Sequence, residues 1–234
     1  MIDIHSHILP GIDDGSKSMD ESLAILKKME ELGFTEIVCT PHYIELTKFR
    51  TNNAKKRELL KKTQAAARRA GINIKLHLGN EIFVSRDIVK FLKKSEAMPI
   101  NKKYVLFELP FTTEINNLGD IVFDIKVNGY TPILAHPERY LMIQKDIRVA
   151  KMLKEKGVKL QCNYSSITGQ YGKKPMKTMK KLLKNGLVDY LGSDIHRARH
   201  SFYGKFPKML KRIKRIAGEK YFEKIEKDTA SLIK

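Results

Sequence analysis

The chain has 234 residues, of which 42% are hydrophobic, and it carries a formal net charge of +19. This length suits one large domain with a full core, and we expect a single domain over residues 1–234. No apolar run of about 18 residues occurs and the first residues lack a basic or apolar leader. The sequence therefore predicts no membrane insertion, no secretory signal and a cytoplasmic location.

Short apolar runs alternate with helical stretches along the whole chain. The expected strands are 2–5, 36–40, 72–78, 104–109, 131–135, 158–162 and 188–192. The expected helices are 19–32, 53–70, 86–93, 117–128, 146–156, 176–184, 206–217 and 220–232. Repeated strand–helix alternation predicts an α/β fold with a parallel sheet, and seven units favour a closed or nearly closed (β/α) barrel like the TIM barrel.

Acidic residues or histidines stand at the carboxyl end of six of the seven predicted strands. They are His5 and His7, His42, Glu81, Glu108, His136, and, after the last strand, Asp194 and His196. The sixth strand ends in Asn163, which we do not expect to be a ligand. In a (β/α) barrel these ends meet at one mouth, where active sites lie.

The first of these ends contains a His-x-His pair. Strict alternation along a strand would point Ile2 and Ile4 one way, and Asp3, His5 and His7 the other. Alone, such a pair equally describes polar residues of a surface loop. Six such ends together favour a metal centre, because unpaired carboxylates at an apolar barrel mouth would each cost several kcal/mol.

The turn at 12–15 adds a further carboxylate, Asp14. The candidate ligands are then His5, His7, Asp14, His42, Glu81, Glu108, His136, Asp194 and His196. Nine ligands suit two or three ions, and imidazole with carboxylate but no thiolate fits Mn²⁺, Fe or Zn better than Ca²⁺.

Clustered divalent ions hydrolyse phosphate esters, because a bridging water loses a proton near neutral pH and attacks phosphorus. Arg139 follows His136 closely and is placed to hold phosphoryl oxygens, although a surface arginine paired with Glu138 has the same local sequence. Arg199 and Arg197 are further candidates for this role.

Protonation of the leaving oxygen requires a histidine or carboxylic acid at the site. His42 and His196 are counted as candidate catalytic residues as well as ligands.

A thiol-based phosphatase is excluded by the cysteines. Cys39 and Cys162 lie in apolar runs, and neither begins the Cys-x5-Arg pattern that such enzymes need. We expect two reduced, buried thiols.

The motifs at the strand ends also carry a family resemblance. They read DIHSHILPGIDDG at 3–15, TPH at 40–42, GNE at 79–81, LFE at 106–108, LAHPERY at 134–140 and GSDIH at 192–196. In this order they resemble the PHP (polymerase and histidinol phosphatase) superfamily. More narrowly, the chain is similar to the CpsB/CapC family of bacterial manganese-dependent protein-tyrosine phosphatases.

The resemblance implies a distorted seven-stranded barrel with a trinuclear metal site, and hydrolysis of phosphotyrosine in proteins. The implied partner is the tail of a bacterial tyrosine kinase that controls capsule or exopolysaccharide synthesis. The nine candidate ligands fall on the family's metal positions and Arg139 on its phosphate-binding arginine. Arg199 is our choice for a second family arginine.

Two other functions remain open at this point. One is a small-molecule phosphatase of the same fold, acting on a histidinol-phosphate-like or nucleotide substrate. The other is a basic nucleic-acid-binding or regulatory domain, which is disfavoured because the basic residues are scattered over several helices.

Overall fold

The computed structural model describes residues 1–113 and 115–234. The strands are β1 (Ile2–Ser6), β2 (Glu36–Cys39), β3 (His42–Tyr43), β4 (Lys75–Leu78), β5 (Glu81–Phe83), β6 (Tyr104–Glu108), β7 (Thr131–Ala135), β8 (Lys159–Asn163) and β9 (Tyr190–Gly192). The helices are α1 (Met19–Glu31), α2 (Asn53–Arg69), α3 (Ile88–Lys93), α4 (Leu118–Val127), α5 (Leu141–Lys145), α6 (Arg148–Glu155), α7 (Lys173–Lys184), α8 (Phe202–Ala217) and α9 (Glu219–Leu232). Two 3₁₀ turns, Pro137–Arg139 and Tyr164–Thr168, follow β7 and β8.

The strands form two parallel sheets that follow one another around the molecule. One has the order β1-β2-β4 and the other the order β3-β5-β6-β7-β8-β9. Ser6 forms a parallel bridge with Ile195, so the last strand's end returns to the first strand. The expected α/β fold with parallel strands and barrel-like order is confirmed, whereas the single domain over 1–234 stays a prediction.

Two of the predicted strands are each followed by a short further strand. The strand predicted at 36–40 is observed as β2, and β3 follows it after a break at Thr40–Pro41. The strand predicted at 72–78 is observed as β4, and β5 follows it after Gly79–Asn80. Proline lacks the N–H that a sheet interior needs, which explains the first break. Both β3 and β5 were missed in the sequence because segments of two or three residues show no measurable period. The breaks place His42 beside Glu81 in register.

Asn80 holds the two breaks together. Its Nδ2 donates to the Pro41 carbonyl at 2.7 Å, and its Oδ1 accepts from Lys56 Nζ at 2.6 Å and from Met98 N at 2.9 Å. Lys56 is only 1% exposed, and burial lowers the pKa of its ammonium group to about 7. The chain turns at Asn80 are therefore fixed by a hydrogen-bonded network in the protein interior.

The predicted helices are all present, with shifted ends. Helix α1 is capped by Ser18, whose Oγ accepts from Glu21 N, and Glu21 Oε2 accepts from Lys17 N just before the cap. Helices α7 and α8 begin three and four residues before their predicted starts at 176 and 206. In both, a proline (Pro175 or Pro207) lies inside the observed helix. Over the described residues, no helix has the length and hydropathy to cross a membrane.

Apolar side chains fill the barrel below its polar mouth. Ile4, Val38, Leu106 and Ile133, from four different strands, form this interior cluster with Leu232 of α9. A larger apolar layer lies between the strands and the surrounding helices. The apolar filling leaves one end of the barrel for the polar strand ends.

The pairing of β1 departs from strict alternation. Its register with β2 shifts between Asp3 and Ser6, which is the signature of a bulge. Strict alternation therefore does not hold along the whole of β1. The Asp3 carboxylate accepts from Ser193 N at 2.8 Å and Ser193 Oγ at 2.5 Å, and so joins β1 to the end of β9.

Ser193→Ala should lower the free energy of unfolding by about 2 kcal/mol, because the fully buried Asp3 carboxylate loses a hydrogen-bond donor. Urea denaturation followed by circular dichroism measures this change. Ser231→Ala, at an exposed serine that donates only to the Asp228 carbonyl, is the control and should change stability little. Equal effects of the two substitutions would contradict the assigned role of Ser193.

Candidate metal centre

Glu81 lies at the centre of the predicted ligand cluster. Its carboxylate is buried and lies within 3.3 Å of a ring nitrogen on each of four histidines. These are His5 Nε2 and His7 Nε2 at 3.3 Å, His42 Nδ1 at 3.1 Å and His136 Nε2 at 2.8 Å. The end of β1, the first residues of β3 and β5, and the turn after β7 therefore meet at one carboxylate.

The two histidines of β1 are held with their Nε2 atoms facing the same point, 3.2 Å apart. His5 Nδ1 lies 2.7 Å from Gln161 Oε1, and His7 Nδ1 lies 2.8 Å from Asp13 Oδ2. When the rings are neutral, these acceptors keep the proton on Nδ1, so that each Nε2 has a free lone pair. Two lone pairs directed at one point are the arrangement that a metal ion needs.

Gly15 allows the turn after β1 to pack closely on this pair. A Cβ at this position would lie 2.1 Å from the His7 carbonyl oxygen and 2.8 Å from Asp13 Oδ1. The Gly15 N–H donates to that same Asp13 oxygen at 2.8 Å. Because Gly15 has no side chain, the turn can pack closely enough for Asp13 to contact His7 Nδ1.

Asp14 and His196 close the outer side of the cluster. Asp14 Oδ1 lies 3.4 Å from His42 Nε2 and 3.5 Å from His196 Nε2. His196 stacks on His7 with ring centres 4.0 Å apart, and its Nδ1 lies 2.9 Å from the Asp194 carbonyl. The carbonyl again fixes the proton on Nδ1 and leaves Nε2 free.

Glu108 and His136 complete the inner side. Glu108 Oε1 lies 3.3 Å from His42 Nδ1, and Glu108 Oε2 lies 3.9 Å from His136 Nε2. The hydroxyl of buried Tyr140 lies 3.2 Å from His136 Nδ1 and accepts from Leu109 N. These contacts hold the His136 ring at the carboxylate pair.

Three overlapping sets of side chains have their ligand atoms within 4.8 Å of one another. The sets are His5, His7 and Glu81; His42, Glu81 and Glu108; and His7, Asp14, His42 and His196. Asp194 Oδ1 borders the first set, 3.6 Å from His5 Nε2 and 3.5 Å from His7 Nε2. The structure thus brings all nine predicted ligands into one cluster.

The donor atoms fit divalent cations. Within the described residues, His42 Nδ1 is buried without a hydrogen-bond partner, although two carboxylates lie near it. Nitrogen and oxygen donors without sulfur match Mn²⁺, Fe or Zn. Seen as a group, the residues have the ligands for two or three such ions.

Burial and the neighbouring carboxylates have opposite effects on the pKa values of the two β1 histidines. Burial opposes protonation of His5, but the Glu81 and Asp194 carboxylates outweigh it and raise the pKa of His5 to about 9. Burial likewise opposes protonation of His7, and Asp13 and Glu81 hold the pKa of His7 well above its usual range. The cluster therefore attracts cations, either protons or metal ions.

Arg139 lies beside this cluster in a cleft. Its Nη1 lies 3.4 Å from Asp194 Oδ2, and its guanidinium lies between the rings of Phe111 and Tyr171, 4.2 and 4.4 Å from their centres. Glu138, the alternative partner considered in the sequence, is buried instead and accepts from Asn163 N and Ser166 Oγ. The aromatic rings hold Arg139 at the edge of the ligand cluster.

The other predicted residues lie at different depths. Arg199 is exposed in the loop after β9, and Arg197 donates to the neighbouring His196 carbonyl. Cys39 and Cys162 are both buried, and burial raises the pKa of each thiol.

Several side chains that position the ligands were not predicted. They are Asp13, Gln161, Asn163 and Tyr140, together with the aromatic pair around Arg139. Asn163 donates to Asp194 Oδ2 at 2.8 Å and accepts from Gln161 Nε2 at 2.9 Å. Gln161 and Asn163 are polar residues two apart in an otherwise apolar run, and this is the signal by which they could have been found.

The chain is similar to known proteins over nearly its whole length. Residues 1–233 match the family described as capsular polysaccharide synthesis, CpsB/CapC. The tyrosine-protein phosphatase CpsB of Streptococcus pneumoniae is 32% identical over 84% of this chain and 83% of its own. The tyrosine-protein phosphatase YwqE of Bacillus subtilis is 31% identical over 85% and 78%.

Solved structures show the same fold. One from a study of YwqE and CpsB, described as unique metal-dependent tyrosine phosphatases, has a TM-score of 0.87 at 26% identity, covering 100% of this chain and 94% of that one. The Lactococcus lactis histidinol phosphate phosphatase has a TM-score of 0.62 at 18% identity, covering 91% and 93%, and shows the fold alone.

Metal binding should expel protons. The facing carboxylates hold the pKa of His5 at about 9 and raise the pKa of His7, yet only neutral imidazole binds a metal ion. Affinity for Mn²⁺ should therefore rise with pH up to about 9, with release of at least one proton. Calorimetry in buffers of different ionisation enthalpy measures this number, and zero release would contradict the charge balance described.

Proposed function

The chain belongs to the CpsB/CapC family, and on that premise we propose that it is a metal-dependent phosphatase that hydrolyses phosphotyrosine in proteins. The observation that carries the proposal is a cluster of histidines and carboxylates beside an arginine that lies between two aromatic rings. The relatives named as tyrosine phosphatases support the substrate class.

We propose Mn²⁺ as the native metal, with two or three ions held by the nine predicted ligands. When bound, such ions supply a nucleophile from water at neutral pH and neutralise charge on the phosphoryl oxygens. Glu81 belongs to two of the three ligand sets and would therefore help to hold more than one ion.

Arg139 would hold the phosphoryl group. The Arg139 side chain is 23% exposed and lines the cleft, while Asp194 and the two rings hold it in place. Its planar donors match two phosphoryl oxygens at once. Because the rings already restrict its side chain, little conformational entropy is lost when phosphate binds.

Proton transfer to the leaving oxygen is assigned to His42 or His196, and the ring that donates would not hold an ion at the same time, because a metal-bound nitrogen carries no proton. His42 and His196 are the partly exposed histidines of the cluster, with 13% and 28% of their side chains accessible. They can therefore contact a leaving group that enters from solvent. Arg199 is proposed as a second phosphate contact from the exposed loop after β9.

The cleft beside Arg139 suits an aromatic phosphoester. It has a volume of about 490 Å³ and contains the exposed edge of Phe111 together with Tyr171. A phenyl ring entering it would lie against Phe111 and Tyr171 while its phosphate reaches Arg139. The cleft is open to one side, as attachment of the tyrosine to a protein requires.

The cellular role follows from the family. We propose a cytoplasmic enzyme whose substrate is the phosphorylated tail of a bacterial tyrosine kinase, so that it regulates capsule or exopolysaccharide synthesis. The family description as capsular polysaccharide synthesis supports this role.

The purified protein should hydrolyse para-nitrophenyl phosphate and phosphotyrosine peptides when loaded with Mn²⁺, and chelation should abolish both activities. Alkylation of thiols should have no effect, because Cys39 and Cys162 are buried. Steady-state release of phosphate measures each rate. Failure of the metal-loaded protein to release phosphate from phosphotyrosine peptides would refute the proposed function.

His136→Ala and Arg139→Ala should affect the enzyme differently. Both should lower kcat/KM by about a hundredfold or more, since each removes a group that stabilises developing charge. Only His136→Ala should lower the bound metal, measured by inductively coupled plasma mass spectrometry. Arg148→Ala, at an exposed arginine paired with Asp146, is the control. Equal metal loss in the His136 and Arg139 variants would refute this division of roles.

A further inference from the structure

The cleft at Arg139 continues into a second one along α7. The first is lined by Arg139, Gln144 and the residues that begin α7, and the second, of about 200 Å³, by Gln144 and further α7 residues. Gln144 and Lys174 line both clefts, so the two form one continuous groove. We call it the α7 groove. It leads away from the candidate metal centre between α5 and α7.

The α7 groove is strongly basic. Five exposed lysines line it: Lys145, Lys173, Lys174, Lys177 and Lys181. Among the described residues, its lining includes no acidic side chain. Asp146, the carboxylate next to Lys145 in the chain, is paired with Arg148 at 2.8 Å. The lysines are therefore available to an anion that enters from outside.

Helix α7 itself carries charge in an unusual position. It has six lysines and no acidic residue among its twelve positions, and two of the lysines, Lys173 and Lys174, lie in its first turn. Cations near a helix amino terminus are disfavoured by the helix dipole. Stability alone therefore does not explain these lysines, whereas binding of an anion would.

We propose that the α7 groove binds acidic side chains that flank the phosphotyrosine of a protein substrate. This inference rests on the proposed phosphatase function and adds a rule of substrate selection to it. From Lys174 to Lys181 the helix rises about 10 Å, which matches about three residues of an extended peptide. Aspartate or glutamate within about three to five residues of the phosphotyrosine would meet these lysines.

Peptide kinetics test the proposal. Three phosphotyrosine peptides are compared: one with a run of glutamates before the phosphotyrosine, one with the run after it, and one with glutamines in both places. Because the groove leaves the cleft in one direction, one of the acidic peptides should have about a tenfold higher kcat/KM than the glutamine peptide. The advantage should shrink from about 0.05 M to about 0.5 M salt.

The double substitution Lys177→Glu and Lys181→Glu should abolish this advantage. Lys208→Glu with Lys211→Glu on α8 makes the same change in net charge at exposed positions outside the groove, and should preserve it. Turnover of para-nitrophenyl phosphate should be unchanged in both, since this small ester does not reach Lys177 or Lys181, and its hydrolysis also reports correct folding.

The outcomes separate the two proposals. If the glutamine peptide is hydrolysed and neither acidic peptide is preferred, the groove proposal is wrong while the phosphatase function stands. The groove proposal is also wrong if both double variants lose the preference equally, because net charge alone would then explain it. If the wild-type protein hydrolyses none of the peptides, both proposals fall.

Discussion

A buried carboxylate surrounded by imidazoles is the constraint on which the rest of the molecule depends. Glu81 contacts ring nitrogens of four histidines that come from three separate parts of the chain. Burial would raise the pKa of Glu81, yet the facing imidazoles, His5 foremost, hold it well below its usual range. A charge of this kind is stable in the interior only with cations around it. The barrel mouth is therefore a place where positive charge, from protons or metal ions, is a condition of the folded structure.

Regular secondary structure is interrupted at the positions of several candidate ligands. Asn80 holds together the chain breaks after β2 and β4. Directly after these breaks, His42 of β3 and Glu81 of β5 are paired in register. The register of β1 shifts before the first pair of histidines is complete, and β8 contributes no candidate ligand but positions two. Gln161 orients His5, and Asn163 holds Asp194. Such outer contacts fix which nitrogen of a histidine faces the ion.

Local patterns were enough to predict much of this architecture. Apolar runs with a polar end located the ligands of the barrel mouth, because both the run and its end are contiguous in the chain. The partners that orient the ligands could not be predicted, because they are far from them in the chain. His5 and Gln161 are 156 residues apart, and Arg139 and Asp194 are 55 apart. Short strands such as β3, and the bulge in β1, arise from pairing between strands and have no period of their own.

The closure of β1 on the end of β9 has a consequence for biosynthesis. Asp3 and Ser193 are 190 residues apart in the chain, and His5 and Asp194 have nearly the same separation. At the usual rate of translation, about 10 to 40 s separate their emergence from the ribosome. During this interval the first strand lacks one neighbour and the histidines lack their full set of ligands. The full cluster of candidate ligands can therefore form only after Asp194 has been synthesised.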